Sequence, residues 1–301
     1  VHQLILTFSC DDTAGIVHAV TGAIVACQGN ILELQQFSST DTGRFFMRVE
    51  IDVPTAPEEF RAAIAQVATR FAATWAVVPA GVPTRTLVLV SKAAGPLNDL
   101  LFHVRAGDLP IEIPLILSNH EQLGRLAHYH GIPFEHHAVL PDSKPAFENR
   151  IRQAVDELGI DLVVLARYMQ ILSPELCTDL AGRVINIHHS FLPGFKGANP
   201  YRQAHERGVK LIGATAHFVT SNLDEGPIIE QNVHRVDHSA TVAELTSIGQ
   251  GLESDTLTSA VRLFAEKRIF LDGIRTVIFH YGRSLLAGSL ASTSSTSADD
   301  P

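Results

Sequence analysis

The chain has 301 residues, 46% of them hydrophobic, and carries 23 Lys and Arg against 32 Asp and Glu for a formal net charge of −9. Such a length predicts two packed domains, and the acidic balance excludes a sequence-independent nucleic-acid surface, which needs clustered cations. No apolar run approaches the roughly 20 residues of a membrane-spanning helix, and no basic, signal-like segment stands at Val1, so a cytoplasmic protein with neither membrane nor nucleic-acid partners is expected.

In chain order, residues 4–8 predict a strand. Residues 15–26 predict a helix with Ile16, Val20 and Ile24 on one face, and residues 31–37 and 45–52 predict two more strands. In the last of these, Phe45, Met47, Val49 and Ile51 line one face, and Phe46, Arg48, Glu50 and Asp52 the other. Phe60, Ile64, Val67 and Phe71 mark an amphipathic helix before the short run 75–78. The order βαββαβ predicts a ferredoxin-like first domain over 1–80, with 81–84 as linker and a second domain over 85–282.

In that second domain, strands at 87–90, 113–117, 134–139 and 162–165, the buried ones such as LVVLA continuously apolar, alternate with helices at 96–105, 121–129, 144–158 and near 174–180. This pattern predicts a doubly wound, mostly parallel, Rossmann-like α/β sheet. A long helix with Leu245, Ile248, Leu252 and Leu263 on one side and a last strand near Val277 should close it. The Ser/Ala-rich residues 283–301 have little to bury and are expected to be disordered. Cys10, Cys27 and Cys177 show no metal-ligand spacing and are expected to be buried free thiols. His136 and His137 lack any H-E-x-x-H context, so no metal is expected.

The chemistry concentrates in residues 184–231. On a strand, Asn186 and His188 project from the same face, and the polar loop at 220–226 can return Asp224 to them. INIHHSFLP at 185–193, TAHFV at 215–219 and LDEGPII at 223–229 together resemble the folate-dependent formyltransferase family. The resemblance implies a catalytic trio of Asn186, His188 and Asp224, with His217 supporting Asp224 or the formyl group. A satisfied core histidine is the other reading of His217. It also places a pterin pocket at Arg167, Tyr168, Met169, Gln170, Ile171 and Leu172, facing Thr220, Ser221, Asn222 and Leu223. No cofactor is implied, since a 10-formyl folate is the substrate.

Formyl transfer passes through a tetrahedral oxyanion, for which Asn186 and His188 would be the donors. Asp224 would act as base toward a water or as the carboxylate that keeps His188 charged. Ser190 stands in no G-x-S-x-G elbow and is not read as a nucleophile. CDDTAGIV, GNI and GRFFMR in the first domain resemble the ACT family of amino-acid-sensing domains. This implies a homo-oligomer and an effector such as glycine or methionine near Gly15, Asn30 and Ile31. A purely structural domain is the alternative.

ARYMQILSP at 166–174 together with INIHHSFLP and an N-terminal module points to the branch of the family that hydrolyses 10-formyltetrahydrofolate to formate and tetrahydrofolate, feeding purine synthesis and balancing one-carbon pools. The loop SKAAGP at 91–96 agrees. Relatives that formylate phosphoribosylglycinamide have a glycine-rich phosphate cradle there, whereas here only Gly95 remains and Pro96 has no N–H to give. Transfer to phosphoribosylglycinamide is the alternative enzyme reading. A non-catalytic amino-acid sensor is the alternative of another class, and it would require a broken trio.

Overall fold

The computed structural model describes residues 1–140, 142–192 and 200–281; the stretch 283–301, expected to be disordered, lies outside them. The chain opens β1 (His2–Asp11), α1 (Ile16–Ala26), β2 (Asn30–Ser39), β3 (Arg44–Val53), α2 (Pro57–Phe71) and β4 (Thr74–Pro79). These strands form an antiparallel sheet of order β2-β3-β1-β4. Alternation puts Leu4, Leu6, Phe8, Met47, Val49 and Ile51 on one face, against Ile16, Val20 and Ile24 of α1 and Phe60 and Ile64 of α2.

The other face is not the solvated one that period-two reading implies, for Phe46 and Arg48 are 1% and 2% exposed. A two-stranded hairpin from the far end of the chain covers it. Phe270 meets Phe46 edge-on at 5.7 Å, Arg48 Nε donates to the Glu266 carbonyl at 3.0 Å, and Arg268 reaches back to Glu33 at 2.9 Å. A strand pattern reports which residues alternate, not which face finds a partner distant in sequence.

The second sheet begins at Thr84, whose N–H is already bonded to the Pro110 carbonyl, so the expected linker loses its last residue to a strand. Its elements are β5 (Thr84–Val90), α3 (Gly95–Ala106), β6 (Ile111–Ser118), α4 (Gly124–Tyr129), β7 (Phe134–His136), α5 (Lys144–Glu157), β8 (Leu162–Ala166), α6 (Pro174–Asp179), β9 (Val184–His188), α7 (Pro200–Glu206), β10 (Leu211–Phe218), β11 (Ile228–Arg235) and α8 (Val242–Ala265). The strand order is β11-β10-β9-β8-β5-β6-β7. Buried residues on its two faces form two separate cores, one against α3 and α8, the other against α5 and α6. This is the doubly wound, mostly parallel α/β architecture.

Two features depart from the sequence expectation. β10 runs antiparallel to both β9 and β11; the β10–β11 connection holds no helix, so that pair cannot be a parallel crossover, whereas β10 reverses against β9 even though α7 lies between them. The strand near Val277 does not join this sheet either. It is β13 (Arg275–Ile278), paired only with β12 (Ile269–Asp272), and together they are the hairpin that covers the first sheet. The order of winding reverses between β5 and β8, which places the switch point where β5, β8 and β9 end, the usual place for a ligand.

Candidate active site

β9 presents Asn186 and His188, and its pairing with β10 sets His217 opposite Asn186. His217 Nδ1 lies 2.9 Å from the Phe218 carbonyl oxygen. That oxygen can only accept, so Nδ1 carries the proton and Nε2 is left with its lone pair. Asn186 Nδ2, 3.2 Å away, therefore donates to Nε2. Burial pushes the His217 imidazole below its ordinary pKa, opposed by the Phe218 carbonyl and by Asp224, so the ring stays neutral and fixes which way the Asn186 amide points. Asn186 itself borders the cavity described below.

Asp224 closes the set. Its Oδ1 is 3.3 Å from His188 Nδ1 and 3.8 Å from His217 Nε2. The loop from Val219 folds back along the face of β9 to bring it there, with Asp224 itself left-handed at φ 57, a conformation that Asp tolerates better than most residues. Gly226 is required for the return: a Cβ on it would stand 1.7 Å from the Phe218 carbonyl oxygen. The hydrogen bond from His188 holds the Asp224 carboxyl below the usual carboxylate range, against the effect of burial.

A stability consequence follows. A depressed folded-state pKa contributes stability that is present above the unfolded value, about 3.9, and lost as pH falls through the folded value. The wild-type protein should thus lose stability relative to Asp224→Asn as pH falls below about 4. Urea unfolding of both proteins at pH 7, 5 and 3.5 checks this; a difference that grows on acidification would contradict it.

These residues line a cavity of about 270 Å³. Residues 167–172 form one wall and 219–224 the other, with His189 stacked on His188 at 4.9 Å. Met169, Ile171 and Leu223 are more than half exposed at its rim (61%, 59% and 58%), an apolar surface that a flat ring would cover. Leu172 and Tyr168 are buried, and the Tyr168 ring stacks on Phe147 in the core, while both residues still border the cavity. Met169 N–H donates to Ser91 Oγ at 3.0 Å, and Ser91 Oγ donates to Asn119 Oδ1 at 2.6 Å. The wall is pinned in this way to the ends of β5 and β6.

Sequence reading named Arg167 as a folate contact. The structure turns its guanidinium to Glu253, 3.1 Å away, although the residue still borders the cavity. Glu253 and its partner Tyr201 were not singled out from sequence, because a lone Glu inside a long helix reads as a solvated position. Cys177 also lines the cavity; all three cysteines are buried and unpaired, and burial raises the Cys177 thiol. Among the described residues, no group of three or more His, Cys, Asp or Glu is placed to hold a metal ion.

Residues 84–261 match the formyl transferase family model. A formyltetrahydrofolate deformylase of Corynebacterium sp. (strain P-1) is 47% identical over 277 residues, which is 91% of this chain and 97% of that protein. The chain belongs to the formyltetrahydrofolate deformylase family. The crystal structure of the deformylase of Burkholderia mallei agrees, with a TM-score of 0.90 at 47% identity over 93% of this chain and all of its own. A glycinamide ribonucleotide transformylase of Symbiobacterium toebii is 35% identical with a TM-score of 0.61, and it covers 67% of this chain. In this family member the two ends of the 91–96 loop are tied into the fold, Ser91 being buried and hydrogen bonded and Pro96 lying in the first turn of α3, while Lys92, Ala94 and Gly95 are exposed.

Proposed function

We propose that the chain hydrolyses 10-formyltetrahydrofolate to formate and tetrahydrofolate, with Asn186, His188 and Asp224 as the catalytic residues and His217 orienting Asn186. The observation that carries the reading is the His188–Asp224 contact of 3.3 Å at the edge of a cavity rimmed by exposed apolar side chains. Water attacks the formyl carbon, and the Asp224–His188 pair removes its proton as the O–C bond forms. The formyl oxygen becomes an oxyanion beside the Asn186 amide and the now cationic His188, which Asp224 stabilises. The pair then returns a proton to N10 as the C–N bond breaks.

The pterin ring lies between 168–172 and 220–223, and no cofactor enters. Among the described residues no helix is long and apolar enough to cross a membrane, and a cytoplasmic reaction in one-carbon metabolism belongs to the same reading. Incubation with 10-formyltetrahydrofolate alone should release formate and tetrahydrofolate in equal amounts. A requirement for phosphoribosylglycinamide, with formylated glycinamide as product, would replace the hydrolase by the transferase.

The βαββαβ unit acts in this reading as an ACT-type regulatory domain. Gly15 and Asn30 stand at opposite ends of α1, whose 11 residues span about 16 Å, so a small amino acid cannot touch both within one chain. An effector site using both needs a second copy, and β2 is an edge strand with Leu32 and Phe37 nearly half exposed, a surface that a partner would cover. Glycine or methionine is expected to bind and to change turnover. Calorimetry and rate measurements over the amino acids check this, and indifference to all of them would leave the domain a scaffold.

A further inference from the structure

The cavity wall at 167–172 leaves β8 at Ala166 and enters α6 at Pro174, and side chains from other elements hold its backbone on either side. Ser91 Oγ accepts the Met169 N–H at 3.0 Å. At the far end, Glu148 Oε1 on α5 accepts the Ser173 N–H at 2.8 Å. Glu148 is 5% exposed and shares the buried side of α5 with Phe147, Ile151 and Ala154 of the core. Lys144, one turn earlier on the same helix, brings its Nζ only to 3.9 Å from that oxygen. A carboxylate removed from water beside apolar side chains is costly, so its presence on this face calls for a use.

Its charge is felt at the cavity border, where the Tyr168 hydroxyl and the Cys177 thiol are pushed up first by burial and next by Glu148. Between the two anchors the chain is neither helix nor strand. The backbone N–H groups of Gln170, Ile171 and Leu172 and the carbonyls of residues 168–172 make no hydrogen bond among the described residues. Unpaired backbone groups along a cavity wall are costly unless water or a ligand completes them. With no hydrogen bond inside the strip, its course depends on the two anchors and on the burial of Tyr168 and Leu172.

We infer that Glu148 is a positioning residue for folate binding: by holding the Ser173 N–H it completes, with Ser91, the pair of anchors that keeps the backbone of 168–172 aligned along the substrate's ring. The inference rests on the folate reading of this wall proposed above. Without the carboxylate, the Ser173 N–H is left unpaired away from water, and the chain satisfies it by moving outward. Folate must then draw the strip back, and that cost is subtracted from binding. Asn186 and His188 on β9 and Asp224 on the loop after β10 belong to other elements, so the chemical step keeps its geometry. Glu148 moves no proton.

The test measures kcat and KM for formate release from 10-formyltetrahydrofolate, and Kd for tetrahydrofolate by calorimetry, in wild type, Glu148→Leu and Glu148→Gln. Leu fills much of the same space and accepts nothing, whereas Gln keeps a side-chain oxygen for the Ser173 N–H. Glu148→Leu should raise KM and Kd about 5- to 100-fold, the scale of one buried donor left unpaired, with kcat near wild type. Glu148→Gln should bring both constants back. A carboxylate with a merely structural role would lower the urea midpoint of Glu148→Leu and leave KM and Kd where they are. That result, a loss confined to kcat, or a Glu148→Gln that binds as weakly as Glu148→Leu, overturns the inference. If Glu148→Leu does not fold, Ser91→Ala, which removes the other anchor, decides: it must raise KM and Kd in the same way, and unchanged constants overturn the inference. Wild type that binds no tetrahydrofolate, or that binds it and releases no formate from the substrate, is a separate failure, that of the proposed function itself.

Discussion

Asp224→Asn is expected to bind folate normally and to lose about 10²- to 10⁴-fold in turnover, the range for a removed general acid-base. The substitution keeps the size of the side chain and its left-handed backbone, because Asn is as tolerant of that region as Asp. What it removes is the anion that His188 Nδ1 faces at 3.3 Å. An amide neither takes a proton from the His188 pair nor stabilises an imidazolium. The N10 leaving group is a weakly basic aryl amine, so its departure stalls without a delivered proton. Folate binding by fluorescence quenching and single-turnover formate release separate the two effects. Near-wild-type release by the variant would remove Asp224 from the chemistry.

The second large effect is expected at the donors. Asn186→Ala should cost about 10²- to 10³-fold in kcat, the scale for a lost oxyanion donor. His188→Ala should cost at least as much, since it also breaks the proton path. Both losses should fall on kcat and leave KM for the folate near wild type, because the interactions strengthen only as negative charge develops. The His217 contact adds a condition. The Asn186 amide is aimed by the neutral His217 Nε2 at 3.2 Å, so His217→Phe should lower kcat in the same direction by misaiming a donor that is still present. If Asn186→Ala and His188→Ala raise KM alone, the pair serves binding or packing.

Local sequence carried much of this fold and site, and the reasons are visible in particular residues. LVVLA at 162–166 is apolar at every position because both faces of a central parallel strand are covered, so its burial can be read without knowing its neighbours. Asn186 and His188 share a face because strand side chains repeat every second residue, and that holds in any sheet containing β9. The departures occur where a residue's environment is supplied from far along the chain. Phe46 and Arg48 occupy the nominally polar face of β3, and only the hairpin at 269–278 turns that face into an interior.

The sequence by itself determined the order of elements, the face of β9 that carries the chemistry and the residue types a formyl-transfer site requires, since periodicity and motif are properties of neighbours along the chain. Tertiary structure alone decided that β10 runs antiparallel and sets His217 against Asn186, that the expected return of Asp224 to His188 needs a residue without a Cβ at 226, and that the Arg167 guanidinium turns to Glu253. The side chains that meet here stand 31 residues apart for Asn186 and His217, 36 for His188 and Asp224 and 86 for Arg167 and Glu253, and the energy of each contact depends on distance and burial, which no local pattern encodes.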